Sequence, residues 1–178
     1  MSDASPLTGT RTGARTGGCQ CGAIRFAVSG SLGQASICHC RMCQKALGNF
    51  FAPFVSVTAE QLAWTRGQPR YFRSSSDMRR GFCGSCGTPL TYEASEGIAL
   101  AIGAFDEPKA IVPTIQFGTE SKLPYVDRLH CLPGMTTEED PDIADIIENL
   151  VCYQHPDHDT RDWPPLDEDS RPSAKEMK

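Results

Sequence analysis

The chain has 178 residues, 39% hydrophobic and 22% charged, with a formal net charge of -5. That length predicts one domain with a core of its own, and the acidic balance argues against generic nucleic-acid binding. The charge is uneven: residues 136–178 carry thirteen acidic and four basic side chains, and residues 1–135 carry nine acidic and thirteen basic.

The mildly basic body suits a small anionic ligand. Met1 to Ala4 begin a polar stretch without an apolar run, so no signal peptide is expected. No stretch approaches the roughly 20 apolar residues of a membrane span. A cytoplasmic chain with neither a membrane nor a nucleic-acid partner is the expectation. In a reducing compartment, paired cysteines read as metal ligands or reactive thiols rather than disulfides.

Residues 1–16 are rich in Ser, Thr, Gly and Arg and predict a flexible tail, with the ordered body starting at Gly17. Ile24, Phe26 and Val28 alternate with Arg25 and Ala27, which predicts a half-buried strand over 23–29. A turn follows at 30–33, then a short strand at 35–38 and a helical turn at 44–48. The aromatic and β-branched run 50–57 predicts a strand. A short helical turn is expected at 59–63, with Trp64 opening another strand. Gly67 and Pro69 punctuate. Strands are expected at 70–74 and 78–82 around a serine turn, then at 90–92, 98–102 and 115–118. Many short strands with frequent turns predict a mainly β fold.

Thr136 and Glu139 have capping-box spacing. Ile143, Ile146, Ile147, Leu150 and Val151 then recur at helical spacing, which predicts an amphipathic helix over about 142–153. The Pro- and Asp-rich end beyond His155 is expected to be disordered. The helix would pack on its own domain or on a second copy of the chain.

Seven of the nine cysteines fall in three tight clusters. Four thiolates close a zinc site and three leave one open, so seven fits one of each. Cys83-x-x-Cys86 is a knuckle spacing that clasps one metal from a tight turn. Gly87 after it supplies the positive φ that bends the chain back. Cys19-x-Cys21 on extended chain points both sulfurs to one face, which suits it to complete such a site. The long gap to Cys83 leaves that pairing open on spacing alone.

Cys38-x-Cys40-x-x-Cys43 puts three thiols within six residues, enough to wrap one side of a tetrahedral ion. Water, a substrate, His39 or a distant cysteine would take the fourth position. His39 points opposite to Cys38 and Cys40 in an extended stretch and reads better as a packing or hydrogen-bonding residue. Cys131 and Cys152 read as isolated, small buried apolar residues. His155-x-x-His158 is a weak metal spacing, and Ser74 to Ser76 read as a polar turn. Arg70, Arg73, Arg79 and Arg80 form a basic set near the knuckle, with no role that spacing assigns.

Three motifs in order, Gly17-Gly18-Cys19-Gln20-Cys21-Gly22, Cys38-His39-Cys40-Arg41-Met42-Cys43 and Phe82-Cys83-Gly84-Ser85-Cys86-Gly87-Thr88-Pro89-Leu90, carry a resemblance. The chain resembles the glutathione-dependent formaldehyde-activating enzyme family, also called the centromere protein V family. Gly67, Pro69, Arg80, the run 103–108, Ser121-Lys122 and Leu132-Pro133 fall where its pattern expects them, so the resemblance covers about residues 17–135.

The resemblance implies a β-tent of small antiparallel sheets organised around zinc. It implies that Cys19, Cys21, Cys83 and Cys86 hold a structural zinc. It implies a second, open zinc site at Cys38, Cys40 and Cys43, where the reaction occurs. The implied activity is carbon–sulfur lyase chemistry of the S-(hydroxymethyl)glutathione synthase type, with glutathione or another small thiol as co-substrate. The alternative is a non-catalytic, zinc-stabilised binding module. Gln116 stands where the family often has histidine, and Tyr125 where it usually has tryptophan. The implied organisation is a tail (1–16), a zinc-binding catalytic domain (17–135) and an acidic extension (136–178).

Overall fold

The structure is a computed structural model that describes residues 13–148 and 150–162. Ten strands and few helices make it mainly β. A small sheet joins β1 (Arg15–Gly18), β2 (Arg25–Val28) and β5 (Leu62–Arg66). Seven strands form the second sheet. They are β3 (Ala35–Cys38), β4 (Ala52–Val57), β6 (Arg70–Arg73), β7 (Arg79–Phe82), β8 (Pro89–Ala94), β9 (Gly97–Ala101) and β10 (Ile115–Phe117). Their order is β10-β3-β4-β9-β8-β7-β6. All pairs are antiparallel except β10 with β3, which is parallel. The expectation of small antiparallel sheets is thus met in the first sheet, while the second is larger and mixed.

The alternation in β2 works as expected for its apolar side. Phe26 and Val28 are fully buried, and Phe26 packs edge-on against Trp64 and Phe105 with centroids 5.9 and 5.1 Å apart. Val55, Leu90 and Leu100 extend that core into the larger sheet. Each fully buried aliphatic side chain stabilises by about 1.5–3 kcal/mol.

Several expected boundaries move. Ordered pairing begins at Arg15, which faces Val28 across β1 and β2. Residues 59–61 form a turn rather than a helix, because Leu62 and Ala63 already pair with Val28 and Ala27. Sheet pairing overrides the weak local preference there. The helical turn expected at 44–48 is a helix, α1 (Arg41–Leu47), capped by Cys40.

The amphipathic helix α2 (Pro141–Glu148) stops short of the expected 153. The Thr136 and Glu139 capping box forms, but it closes a separate 3-10 turn at Thr137–Glu139. Residues 150–162 then return to the body instead of continuing the helix. The His155 N–H donates to the Gln20 carbonyl at 2.7 Å, so the stretch just beyond His155 is anchored where disorder was expected. Of the tail expected over residues 1–16, residues 1–12 lie outside the described residues, as does the end beyond 162.

Candidate metal centres

Two turns from different sheets meet at the first cysteine group. Cys19 and Cys21 sit between β1 and β2, and Cys83 and Cys86 between β7 and β8. All four Sγ atoms lie within 4.8 Å of one another. Cys19 to Cys21 is 3.5 Å and Cys21 to Cys83 is 3.8 Å. A tetrahedral zinc with Zn–S near 2.3 Å sets sulfurs about 3.8 Å apart, so the donor set and its spacing fit that ion.

Backbone and hydroxyl donors already face these sulfurs. The Ile24 N–H donates to Cys19 Sγ at 3.2 Å. Gly87 has φ 80 and its N–H donates to the Cys83 carbonyl at 2.9 Å, the positive-φ turn that its position predicts. Thr88 ties the two turns together. Its hydroxyl accepts from Gln20 N–H at 3.0 Å and lies 3.0 Å from Cys86 Sγ. Burial pushes the Cys86 thiol up, but the Thr88 hydroxyl and N–H outweigh it and bring the group down to about 6. Burial dominates at Cys19 and pushes it well up. A bound cation would override such differences.

A strap from the C-terminal side closes over this group. His155 is buried, 3% exposed. Its Nδ1 lies 2.7 Å from the Pro156 carbonyl and so carries the proton. Nε2 is then free to accept from the Thr160 hydroxyl at 2.9 Å. Arg66 donates to the Gly22 carbonyl at 3.0 Å and also holds the Thr160 carbonyl. Arg25, expected on the exposed side of its strand, is only 3% exposed. It pairs bidentately with Asp106 at 2.8 and 2.6 Å and reaches Asp159 at 2.8 Å. Paired carboxylates make its burial affordable.

Burial works against the Asp106 carboxylate, but bonds from Arg25 and Thr16 hold its pKa below the ordinary carboxylate range. A depressed folded pKa contributes stability above the unfolded value, near 3.9, and loses it as pH falls through the folded one. Asp106→Asn is therefore expected to cost about 3 kcal/mol at pH 7, the scale of breaking a buried pair. Urea unfolding of both chains checks this. The gap between them should shrink as pH falls below the carboxylate range.

Cys38 ends β3, Cys40 caps α1 and Cys43 lies in its first turn. Their Sγ atoms also fall within 4.8 Å of one another, so this set fits a metal with three thiol ligands. Cys43 is buried, while Cys38 and Cys40 are half-buried. Cys43 N–H donates to Cys40 Sγ at 3.4 Å. Burial pushes Cys40 up, but that N–H and its neighbours bring the thiol below its usual value. Cys38, where burial dominates, is pushed up to about 12. Gly118 abuts this corner with φ 62, and a Cβ there would meet Cys40 N at 2.8 Å. Only glycine fits both the conformation and the approach.

Arg80 is the residue that spacing left without a role. It stands on β7 opposite Tyr92 of β8 and is 3% exposed. Its Nη2 lies 3.3 Å from Cys43 Sγ, its Nε donates to the Ser74 hydroxyl at 3.1 Å, and the guanidinium lies 5.0 Å from the Tyr92 ring centroid. Among the described residues no carboxylate lies within ion-pair distance of it. Arg80 Nη1 and His39 Nδ1 are the buried side-chain polar atoms there without a hydrogen-bond partner. Leaving such an atom unpaired costs about 1–3 kcal/mol.

His39 stands outside both thiol groups. Its Nε2 meets Gln116 Oε1 at 2.8 Å, and its carbonyl accepts from the Gln44 amide at 2.7 Å. Cys131 and Cys152 are exposed and join neither group. A cavity of about 760 Å³ is lined by Tyr92, Met78, Ser56, Ala99, Asp77 and Glu96 among others; it shares Tyr92 with the surroundings of Arg80, and none of Cys38, Cys40 and Cys43 lines it. No helix among the described residues is long and apolar enough to cross a membrane.

A family model described as glutathione-dependent formaldehyde-activating enzyme matches residues 14–121. A crystal structure of a Rhodobacter sphaeroides protein is similar at 18% identity, covering 57% of this chain and 98% of that one, with a TM-score of 0.44. No curated protein sequence matches.

Proposed function

The chain belongs to the glutathione-dependent formaldehyde-activating enzyme family, and from that membership we propose that it is a zinc-dependent carbon–sulfur lyase. Its substrate is an adduct of formaldehyde, or a related electrophile, with glutathione or another small thiol. Cys19, Cys21, Cys83 and Cys86 would hold a structural zinc. Cys38, Cys40 and Cys43 would hold the zinc of the catalytic site, in a domain spanning residues 17–135 of a cytoplasmic protein. Residues 136–178 are an extension of that domain, which acts as a monomer or with a second copy.

The observation that carries this reading is the contrast between the groups. In the four-thiol group only Cys86 is half-buried and the rest are buried, whereas in the three-thiol group only Cys43 is buried, and it lies beside Arg80, whose Nη1 has no hydrogen-bond partner. Zinc at the three thiols would supply the positive charge that keeps an incoming thiol deprotonated. In the synthetic direction the thiol gives up its proton and its sulfur bonds to the aldehyde carbon. The carbon–oxygen π pair moves to oxygen, which takes up a proton. Cleavage reverses each step. Three thiolates leave a divalent ion at a formal charge of -1, which disfavours a fourth anion. Arg80, pressed on Cys43, neutralises that excess. Arg41 and Lys45, the cations next to Cys40 and Cys43 in the chain, have no contact with the thiols among the hydrogen bonds of the described residues; Arg41 turns to Gln44. The cavity that shares Tyr92 with the surroundings of Arg80 is of a size that takes a small ligand and would seat the rest of the thiol.

Native mass spectrometry tests the reading. Two zinc ions per chain and one bound glutathione are expected, together with glutathione-dependent consumption of formaldehyde. An inert two-zinc chain that binds no small thiol would sink it in favour of a binding module.

A further inference from the structure

We propose that Arg80 Nη1 is the donor that receives the substrate oxygen beside Cys43: the aldehyde oxygen in synthesis, the adduct hydroxyl in cleavage. This assignment rests on the lyase reading and names the group that handles charge on oxygen.

Buried polar atoms are nearly always paired, and an exception calls for a reason. Of the two exceptions among the described residues, His39 Nδ1 belongs to a side chain that alternates away from Cys38 and Cys40. Arg80 is the one that touches a cluster thiol. Its other two nitrogens each have a partner. Ser74 holds Nε, Cys43 faces Nη2, and the Tyr92 ring backs the plane. The guanidinium is therefore fixed, with one nitrogen spare. A positioned charged donor, already stripped of water, is suited to charge that develops on oxygen.

The edge of the guanidinium that meets Ser74 lies near the surface: Ser74, the acceptor for Nε, is half-exposed, and its hydroxyl also touches Met42 Sδ, whose residue is 43% exposed.

The test uses the full chain with cobalt in place of zinc, where thiolate binding is read from the sulfur-to-cobalt absorption. Ethanethiol and 2-mercaptoethanol are titrated, since they differ by one hydroxyl. The wild-type chain should bind 2-mercaptoethanol about tenfold more tightly, the scale of one charged hydrogen bond. Arg80→Gln should bind both equally, and Arg80→Lys should recover part of the difference. With glutathione and formaldehyde, kcat of the Gln variant should fall about 100-fold while KM for glutathione stays within about threefold. Equal affinities for the two thiols in the wild-type chain would overturn the assignment. So would loss of cobalt from both variants, which would reduce Arg80 to a prop for Cys43. No absorption change with either thiol in the wild-type chain would overturn the lyase reading, and this assignment with it.

Discussion

A Cys43→Ser chain is expected to keep its fold, bind one zinc instead of two and lose thiol-dependent turnover by at least ~10³-fold, as when one member of a catalytic unit is removed. The argument starts from placement. Cys43 is 4% exposed, within 4.8 Å of Cys38 and Cys40, and is the thiol that Arg80 touches. A serine hydroxyl does not ionise near neutral pH, so one ligand and the counter-charge of Arg80 vanish together. Leaving a buried cation alone costs about 3 kcal/mol, or a fall of roughly 6–12 °C in Tm for a chain of this size. That is a loss, but within the margin of an ordinary domain. A Cys43→Ser, Arg80→Met double variant separates the two effects. It should recover stability and remain inactive. Zinc content, circular dichroism and a formaldehyde assay read all three quantities. Full activity in the single variant would remove Cys43 from the site.

What sequence could tell follows local rules. The alternation of Ile24, Phe26 and Val28 foretells the buried face of β2, because the strand period is two and needs no partner to be seen. Gly87 foretells its turn, because only the backbone of that residue is involved. The cysteine triplet at 38, 40 and 43 is legible for the same reason, its members being neighbours in the chain, whereas the meeting of Cys19 and Cys21 with Cys83 and Cys86 is not.

The hidden parts are those in which distant residues decide. Arg80 meets Cys43 across 37 positions, and Arg25 meets Asp106 across 81 and Asp159 across 134. No periodicity announces such pairs. Arg25 looked like the solvent side of its strand because the pattern reports alternation, not what covers each face. His155 shows the same gap. Its spacing to His158 suggested a weak metal pair, whereas its surroundings make it a hydrogen-bonding hub within the strap. Gln116 departs from the family pattern, and the structure gives it a local task as the partner of His39 Nε2. Thr88 lies inside the third cysteine motif, where spacing gives it no task, yet its hydroxyl is what joins the two turns.

Cys21→Ser is expected to be the more damaging change for the fold, leaving a chain without fixed tertiary packing. Cys21 is 1% exposed, and its sulfur lies between Cys19 at 3.5 Å and Cys83 at 3.8 Å. The group joins the β1–β2 turn of the small sheet to the β7–β8 turn of the large one, 62 residues apart. Structural zinc contributes about 10–16 kcal/mol in small zinc domains. Even half of that rivals the 5–15 kcal/mol by which a whole domain is stable. The strap does not compensate: its His155 N–H bonds the Gln20 carbonyl within the turn that the metal would fix, and its other anchors, Arg25 to Asp159 and Arg66 to the Thr160 carbonyl, lie on the small sheet and do not bridge to the large one. Once the turn loosens, the strap loses the geometry it holds. Near-UV circular dichroism and chelator titration check this. The wild-type chain should release zinc in two steps, first from the half-exposed three-thiol site with packing intact, then from the enclosed site together with unfolding. Cys21→Ser should begin where that second step ends, with neither near-UV signal nor a cooperative thermal transition. A Cys21→Ser chain that melts cooperatively within a few degrees of wild type would show that the sheets hold together without the four-thiol centre.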